Sequence, residues 1–174
     1  KFAEKYGMQY FNYGRNGNCI AMSRARFGEA MYLRYAKEMA DTLDIVLVIA
    51  GHNDAALLDS IGSIEIFKNR MSVLCEELIE RYPTATILFC TRWMCKDFEG
   101  RNSEKVVDAM IEVCGRYSIP IFDAARKSGI FAQNDRFRSL YFQNAGKGDT
   151  AHLNNDGHNR FLPVAEHFIL QHIP

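Results

Sequence analysis

Asp149 and His152 stand three positions apart in the segment Gly148-Asp149-Thr150-Ala151-His152-Leu153-Asn154. A carboxylate that close to an imidazole can hold one ring nitrogen and leave the other to take a proton from a nucleophile. Far upstream, the apolar run Ile45-Val46-Leu47-Val48-Ile49-Ala50 leads straight into Gly51-His52-Asn53-Asp54. An Asn at the mouth of a strand, with a small Gly before it, can donate its side-chain amide to an oxyanion. Base, orienting acid and oxyanion donor together spell acyl transfer, and that chemistry calls for an activated hydroxyl or thiol.

No serine in the chain reads as that nucleophile. Ser23 follows a glycine loop at the head of a helix, Ser63 reads as an N-cap ahead of Ile64-Glu65-Ile66, and Ser103 opens a helix with Glu104 behind it. Ser128 and Ser139 lie in segments without a strand-to-helix turn, and the chain contains no G-x-S-x-G elbow. The five cysteines, Cys19, Cys75, Cys90, Cys95 and Cys114, have no CxxC pair among them and read as buried free thiols. No His, Cys, Asp or Glu set has metal-ligand spacing, so neither a metal nor an organic cofactor is expected.

The elements that must position these groups alternate between short apolar runs and longer amphipathic stretches, which predicts an α/β domain with a mostly parallel sheet. Strands are predicted at residues 9–12, 44–50, 86–90 and 119–122. Helices are predicted at residues 29–41, 63–82, 102–117 and 155–172, the second of them stopped by Pro83. Residues 135–147, rich in Arg, Asn and Gly, read as a long loop over one face of the domain. In open α/β sheets the carboxyl ends of the strands line the ligand crevice, so Asn12-x-Gly14-x-x-Gly17 and Gly51-x-Asn53-Asp54 point at the same place.

A chain of 174 residues with 48% hydrophobic and 24% charged residues suits one soluble globular domain over residues 1–174. Lys plus Arg and Asp plus Glu number 21 each, so no net field favours a nucleic acid partner. The longest apolar run falls far short of the roughly 20 residues of a membrane span.

The order NxGxxG, GxND, DxxH, each motif at a predicted strand end or before a final helix, resembles the SGNH hydrolase superfamily, the GDSL-type lipases and esterases, over essentially the whole chain. The resemblance implies a three-layer α/β/α fold of flavodoxin-like kind and ester hydrolysis by a Ser-His-Asp mechanism. It implies Gly14 and Asn53 as oxyanion donors and Asp149 and His152 as acid and base. His52, in the variable position of GxND, reads as a pocket wall or a packed ring, and Trp93, just after a strand, as the floor of a sugar or acyl pocket or a ring packed beneath a loop; both are expected at the substrate pocket.

Two departures stand out. Leu153 follows the histidine where the family usually has Pro, and the family's first block, a Gly-Asp-Ser at the end of strand one, has no counterpart among the eleven residues before Asn12. The expectation is therefore an N-terminally incomplete domain whose first strand and serine lie outside this sequence, leaving a slot between the strands ending at Asn12 and Ala50. The expected substrate is a small-molecule or carbohydrate ester with a short acyl or O-acetyl group. The alternative is a non-catalytic carbohydrate- or ligand-binding domain that has lost the nucleophile. A flavodoxin-like nucleotide binder would need a phosphate loop, and Gly14-Arg15-Asn16-Gly17 lacks the Lys-Ser/Thr pair.

Overall fold

The computed structural model describes residues 2–96 and 98–173. Its centre is a parallel sheet of β1 (Ile45–Ile49), β2 (Thr86–Cys90) and β3 (Ile121–Phe122), in the order β1-β2-β3. Ile45 pairs with Thr86 and Ile49 with Cys90, while Phe89 pairs with Ile121. β1 and β2 are unbroken runs of apolar residues apart from Thr86 at one end, as strands covered by helices require.

Helices follow each strand. α1 (Phe2–Lys5) and α2 (Met31–Glu38) precede the sheet, and α3 (His52–Ala56) with α4 (Leu58–Ile61) form a short run after β1. α5 (Ile64–Arg81) starts where the Ser63 hydroxyl accepts from the Ile66 N–H at 3.2 Å and stops at Tyr82, ahead of Pro83. Its Phe67, Met71, Leu74 and Leu78 recur at four- and three-residue spacing and are all buried. Each such side chain contributes roughly 1.5–3 kcal/mol by leaving water. They pack with Val106, Met110 and Val113 of α6 (Asn102–Arg116) against Val46, Ile87 and Phe89 of the sheet.

On the other face, Cys90 and Phe122 join Phe161 of α9 (Asn155–Leu170), along with Phe142 and Leu153. Between β3 and α9 run α7 (Ala124–Lys127), α8 (Asp135–Tyr141) and a 3₁₀ turn at Ala145–Lys147. The five cysteines are free and buried, as read from the sequence.

Three sequence expectations are corrected. Residues 9–12 are not a strand: they run as irregular chain with Tyr10 72% and Phe11 44% exposed, and a strand without a neighbour to share its backbone hydrogen bonds gains nothing from extension. The sheet therefore has three strands among the described residues rather than four. Residues 135–147 are not a loop throughout, because the Asn134 side chain accepts from the Phe137 N–H at 2.9 Å and caps α8. The strand predicted at 119–122 shrinks to two residues.

β1 has no strand partner on its outer edge among the described residues, and on the sheet face that carries α9 its Leu47 and Ile49 are 39% and 45% exposed. α9 covers β2 and β3 but leaves these two side chains uncovered. The slot expected between two strands is thus an open edge.

Candidate active site

Gly51 ends β1 with φ at +97°, and a Cβ there would meet the Met110 sulfur at 2.8 Å, so only glycine can make this turn. The turn places His52 and Asn53 at the start of α3, at the carboxyl end of the sheet. Asn53 Nδ2 donates to the Asn18 carbonyl at 3.0 Å. A carboxamide carries two N–H bonds, so this contact fixes the amide and leaves the second hydrogen for another acceptor. Asn18 is itself anchored, donating to the Glu29 carbonyl at 2.7 Å and accepting from Arg34 Nε at 3.0 Å.

Asp54 is wholly buried and accepts from the N–H groups of Ile20 and Ala21 at 3.0 and 2.9 Å. Burial pushes its carboxyl above the usual range despite those two donors. The result is a clamp between α3 and the segment following the NxGxxG motif. Gly14 lies within that motif, and its N–H donates to Asn12 Oδ1 at 3.0 Å. The described contacts do not join Gly14 to Asn53 or His152.

The Asp149 loop is built by local backbone chemistry. Asn144 and Gly148 both take left-handed conformations around the 3₁₀ turn, and Asp149 Oδ1 then accepts from the N–H groups of Ala151 (2.9 Å) and His152 (3.0 Å). The His152 ring curls back so that Nδ1 lies 3.2 and 3.1 Å from the two Asp149 oxygens. Burial pushes the Asp149 carboxyl up, but the two amide donors and the His152 ring outweigh it and hold it below the ordinary carboxylate range. With Nδ1 engaged by Asp149, the His152 side chain is still 68% exposed.

Leu153 takes over the anchoring that a proline would give by stiffness. It is 1% exposed in the cluster beneath α9, and its carbonyl accepts from Gln143 Nε2 at 2.9 Å. The His152 carbonyl accepts from the Gln143 N–H at 2.8 Å, and the Asn154 side chain caps α9 through the Gly157 N–H at 2.9 Å.

Trp93 ties the pieces together. Its indole N–H donates to the Ala151 carbonyl at 2.9 Å, and its ring packs edge-on against His52, with centroids 4.7 Å apart, and against Phe161 at 5.7 Å. The start of α3, the end of β2 and the Asp149 loop therefore meet at one place. His52 is half-buried there, its Nε2 shielded from solvent and without a partner among the described residues. Burial first, then the charges of Arg92 and His152, pull its pKa down to about 3, so the ring is neutral at ordinary pH. Among the described residues no cluster of three or more His, Cys, Asp and Glu side chains is arranged to hold a metal ion.

Of the residues singled out in the sequence, the structure joins Asp149 to His152 and brings Trp93 against His52 and the Asp149 loop, while Gly14 is not directly joined to them; Asn18, which orients Asn53, and Gln143, the brace of the loop, were not singled out. Neither carries a local motif, since their partners lie 35 and 10 residues away.

The polar constellation lies at the carboxyl end of a parallel sheet with helices on both faces, the place where open α/β folds bind ligands. The sequence model of the GDSL-like lipase/acylhydrolase family matches residues 1–160, and the chain belongs to that family. A crystal structure of a Lactobacillus plantarum protein is similar at a TM-score of 0.83 and 22% identity, covering 99% of this chain and 86% of that one. The inhibitor-bound aryl esterase of M. smegmatis is similar at 0.69 and 18% identity, covering 99% of this chain and 83% of that one. Likeness at these identities shows the fold. No curated protein matches the chain by sequence. No described helix is long and apolar enough to cross a membrane.

Proposed function

We propose that the protein is a serine ester hydrolase acting on short acyl or O-acetyl esters, with His152 as base, Asp149 as its orienting acid and Asn53 as an oxyanion donor. The observation that carries this reading is the Asp149–His152 pair, with both carboxylate oxygens within 3.2 Å of Nδ1 and the ring otherwise open to solvent. Asp149 fixes the tautomer with the proton on Nδ1, so Nε2 is the atom that accepts a proton from an attacking hydroxyl and returns it to the leaving alcohol. The second Asn53 N–H stabilises the tetrahedral oxyanion, and its geometry is set in advance by the bond to Asn18. Gly14 adds its N–H once the Asn12 side chain releases it.

The serine itself belongs, on this reading, to a strand that pairs with the open edge of β1. A strand there would end beside Asn53 and His152. His52 and Trp93 wall the acyl pocket, and the neutrality of His52 leaves His152 as the only base of the two.

The test is a panel of p-nitrophenyl acetate, butyrate and longer esters, with O-acetylated sugars, assayed on the natural full-length protein. Turnover that falls with acyl length supports the reading. Absence of turnover together with retained sugar binding would assign the domain to ligand binding instead.

A further inference from the structure

Arg34 of α2 is only 4% exposed, and each nitrogen of its guanidinium group has a partner. Its Nε donates to Asn18 Oδ1 at 3.0 Å, and one terminal nitrogen donates to the Tyr13 carbonyl at 2.9 Å. The other meets Glu38 Oε2 at 2.7 Å, the counter-charge that a buried cation requires. Glu38 also pairs with Arg15 at 2.5 Å, so the same carboxylate holds the chain just beyond Gly14.

The two acceptors on the NxGxxG segment stand directly behind two oxyanion donors. The Tyr13 carbonyl and the Gly14 N–H belong to one planar trans peptide, so fixing the oxygen fixes the direction of the N–H. Asn18, held by Arg34 through its side-chain oxygen and by the Glu29 carbonyl through its amide, offers the main-chain carbonyl that accepts from Asn53 Nδ2 at 3.0 Å. No contact joins Gly14 to Asn53 directly, yet one guanidinium braces both.

We infer that Arg34 is a positioning residue for the oxyanion hole, fixing the Gly14 N–H through the Tyr13 carbonyl and the Asn53 amide through Asn18. This assignment rests on the ester-hydrolase reading and deepens it: donors carried by separate segments stabilise an oxyanion only when their separation is held. A planar fork that spans acceptors on three residues is something arginine supplies and lysine does not.

Arg34→Met and Arg34→Lys are compared with wild type in the natural full-length protein on p-nitrophenyl acetate, with folding checked by circular dichroism and urea unfolding. Arg34→Met should lower kcat roughly 10- to 100-fold with KM within about threefold, since the donors it positions meet charge only in the transition state. Arg34→Lys should fall as far, because an ammonium keeps the charge beside Glu38 and loses the fork. On an Asn53→Ala background the Met substitution should cost no more than about threefold, since most of what it positions is gone. Arg81→Met is the control: it cuts bonds to the Tyr82 hydroxyl (2.9 Å), the Met39 carbonyl (3.2 Å) and Asp41 (3.0 Å) at the opposite end of the sheet, and should lose stability without losing kcat. Asn18→Ala keeps the carbonyl that Asn53 uses, should lower kcat about tenfold, and serves if Arg34→Met does not fold.

A second readout needs no turnover. The nitrogen–proton correlation signals of the Asn53 carboxamide, identified by their loss in Asn53→Ala, should shift in Arg34→Met and stay in place in Arg81→Met. Wild-type kcat in Arg34→Lys, equal losses of kcat in Arg34→Met and Arg81→Met, full multiplication of the Arg34 and Asn53 effects, or an unmoved Asn53 carboxamide would each overturn the assignment. If no ester is turned over but the Asn53 carboxamide still responds to Arg34, the hydrolase reading fails while the positioning by Arg34 stands.

Discussion

Replacing His52 by Phe should remove an acid-dependent loss of stability that the wild type carries. The folded ring has its pKa drawn to about 3 by burial and by the neighbouring positive charges, against 6.5 in the unfolded chain. Because the folded value is the lower one, protonation favours unfolding. The neutral ring is fully tolerated above pH 6.5, and stability drains away as pH falls from there towards 3. At pH 5 the unfolded His52 is protonated by roughly thirtyfold and the folded one hardly at all, which is worth about 2 kcal/mol. At pH 7 the same expression gives only about 0.2 kcal/mol. The figure at pH 5 depends on the unfolded pKa far more than on the folded one, so a folded value near 4 would leave it almost unchanged. Phe keeps a ring against Trp93 and cannot titrate. Urea unfolding of wild type and His52→Phe at pH 7 and pH 5 therefore measures the effect as a difference of differences, with the other histidines common to both proteins. Wild type should lose about 2 kcal/mol more than the variant over that interval. Parallel losses, agreeing within about 0.5 kcal/mol, would mean that His52 takes up its proton as freely in the folded protein as in the unfolded chain.

Further outcomes follow from the same geometry. Asn53→Ala should lower kcat for ester hydrolysis by roughly 10² to 10³ with KM within a few fold, because only the transition state carries the charge that its free N–H meets; a matching rise in KM alone would mark Asn53 as a ground-state binding group. Trp93→Phe deletes the bond to the Ala151 carbonyl while keeping an aromatic ring, and should cost about 1 kcal/mol in urea unfolding and lower kcat more than it raises KM; stability and kcat both at wild-type level would remove Trp93 from the support of the Asp149 loop. Asp54→Ala strands the buried N–H groups of Ile20 and Ala21 and should destabilise by roughly 2–5 kcal/mol in thermal or urea melts; a change below about 1 kcal/mol would show that the clamp is dispensable.

The legible parts of the fold were those governed by local pattern. β2 falls at residues 86–90 as read, and the Ser63 cap and Pro83 bracket α5 because capping and proline chemistry act within a single turn. Residues 9–12 have the composition of a strand, but a strand exists only through a neighbour, and neighbours are not written locally. α8 was missed for a different reason. Its seven residues are too short to show a periodic stripe, although Asn134 as cap and the Phe137–Tyr141 ring pair, with centroids 4.5 Å apart, were available signals. The site divides in the same way. Asp149 and His152 lie on one loop, so their spacing already specifies their contact, whereas the Trp93–Ala151 and Asn53–Asn18 bonds join segments 58 and 35 residues apart. Leu153 shows that a motif position can change residue and keep its task, with burial replacing the stiffness of proline.

The most direct test of the account is the hydrolysis of p-nitrophenyl acetate by the full-length protein and its His152→Ala variant, with folding of both verified by circular dichroism. Removing the base should lower kcat by roughly 10³-fold or more while KM changes little, since His152 acts on the proton in flight rather than on the bound ester. Hydrolysis by His152→Ala at the wild-type rate would contradict the assignment of the Asp149–His152 pair as the centre of the chemistry.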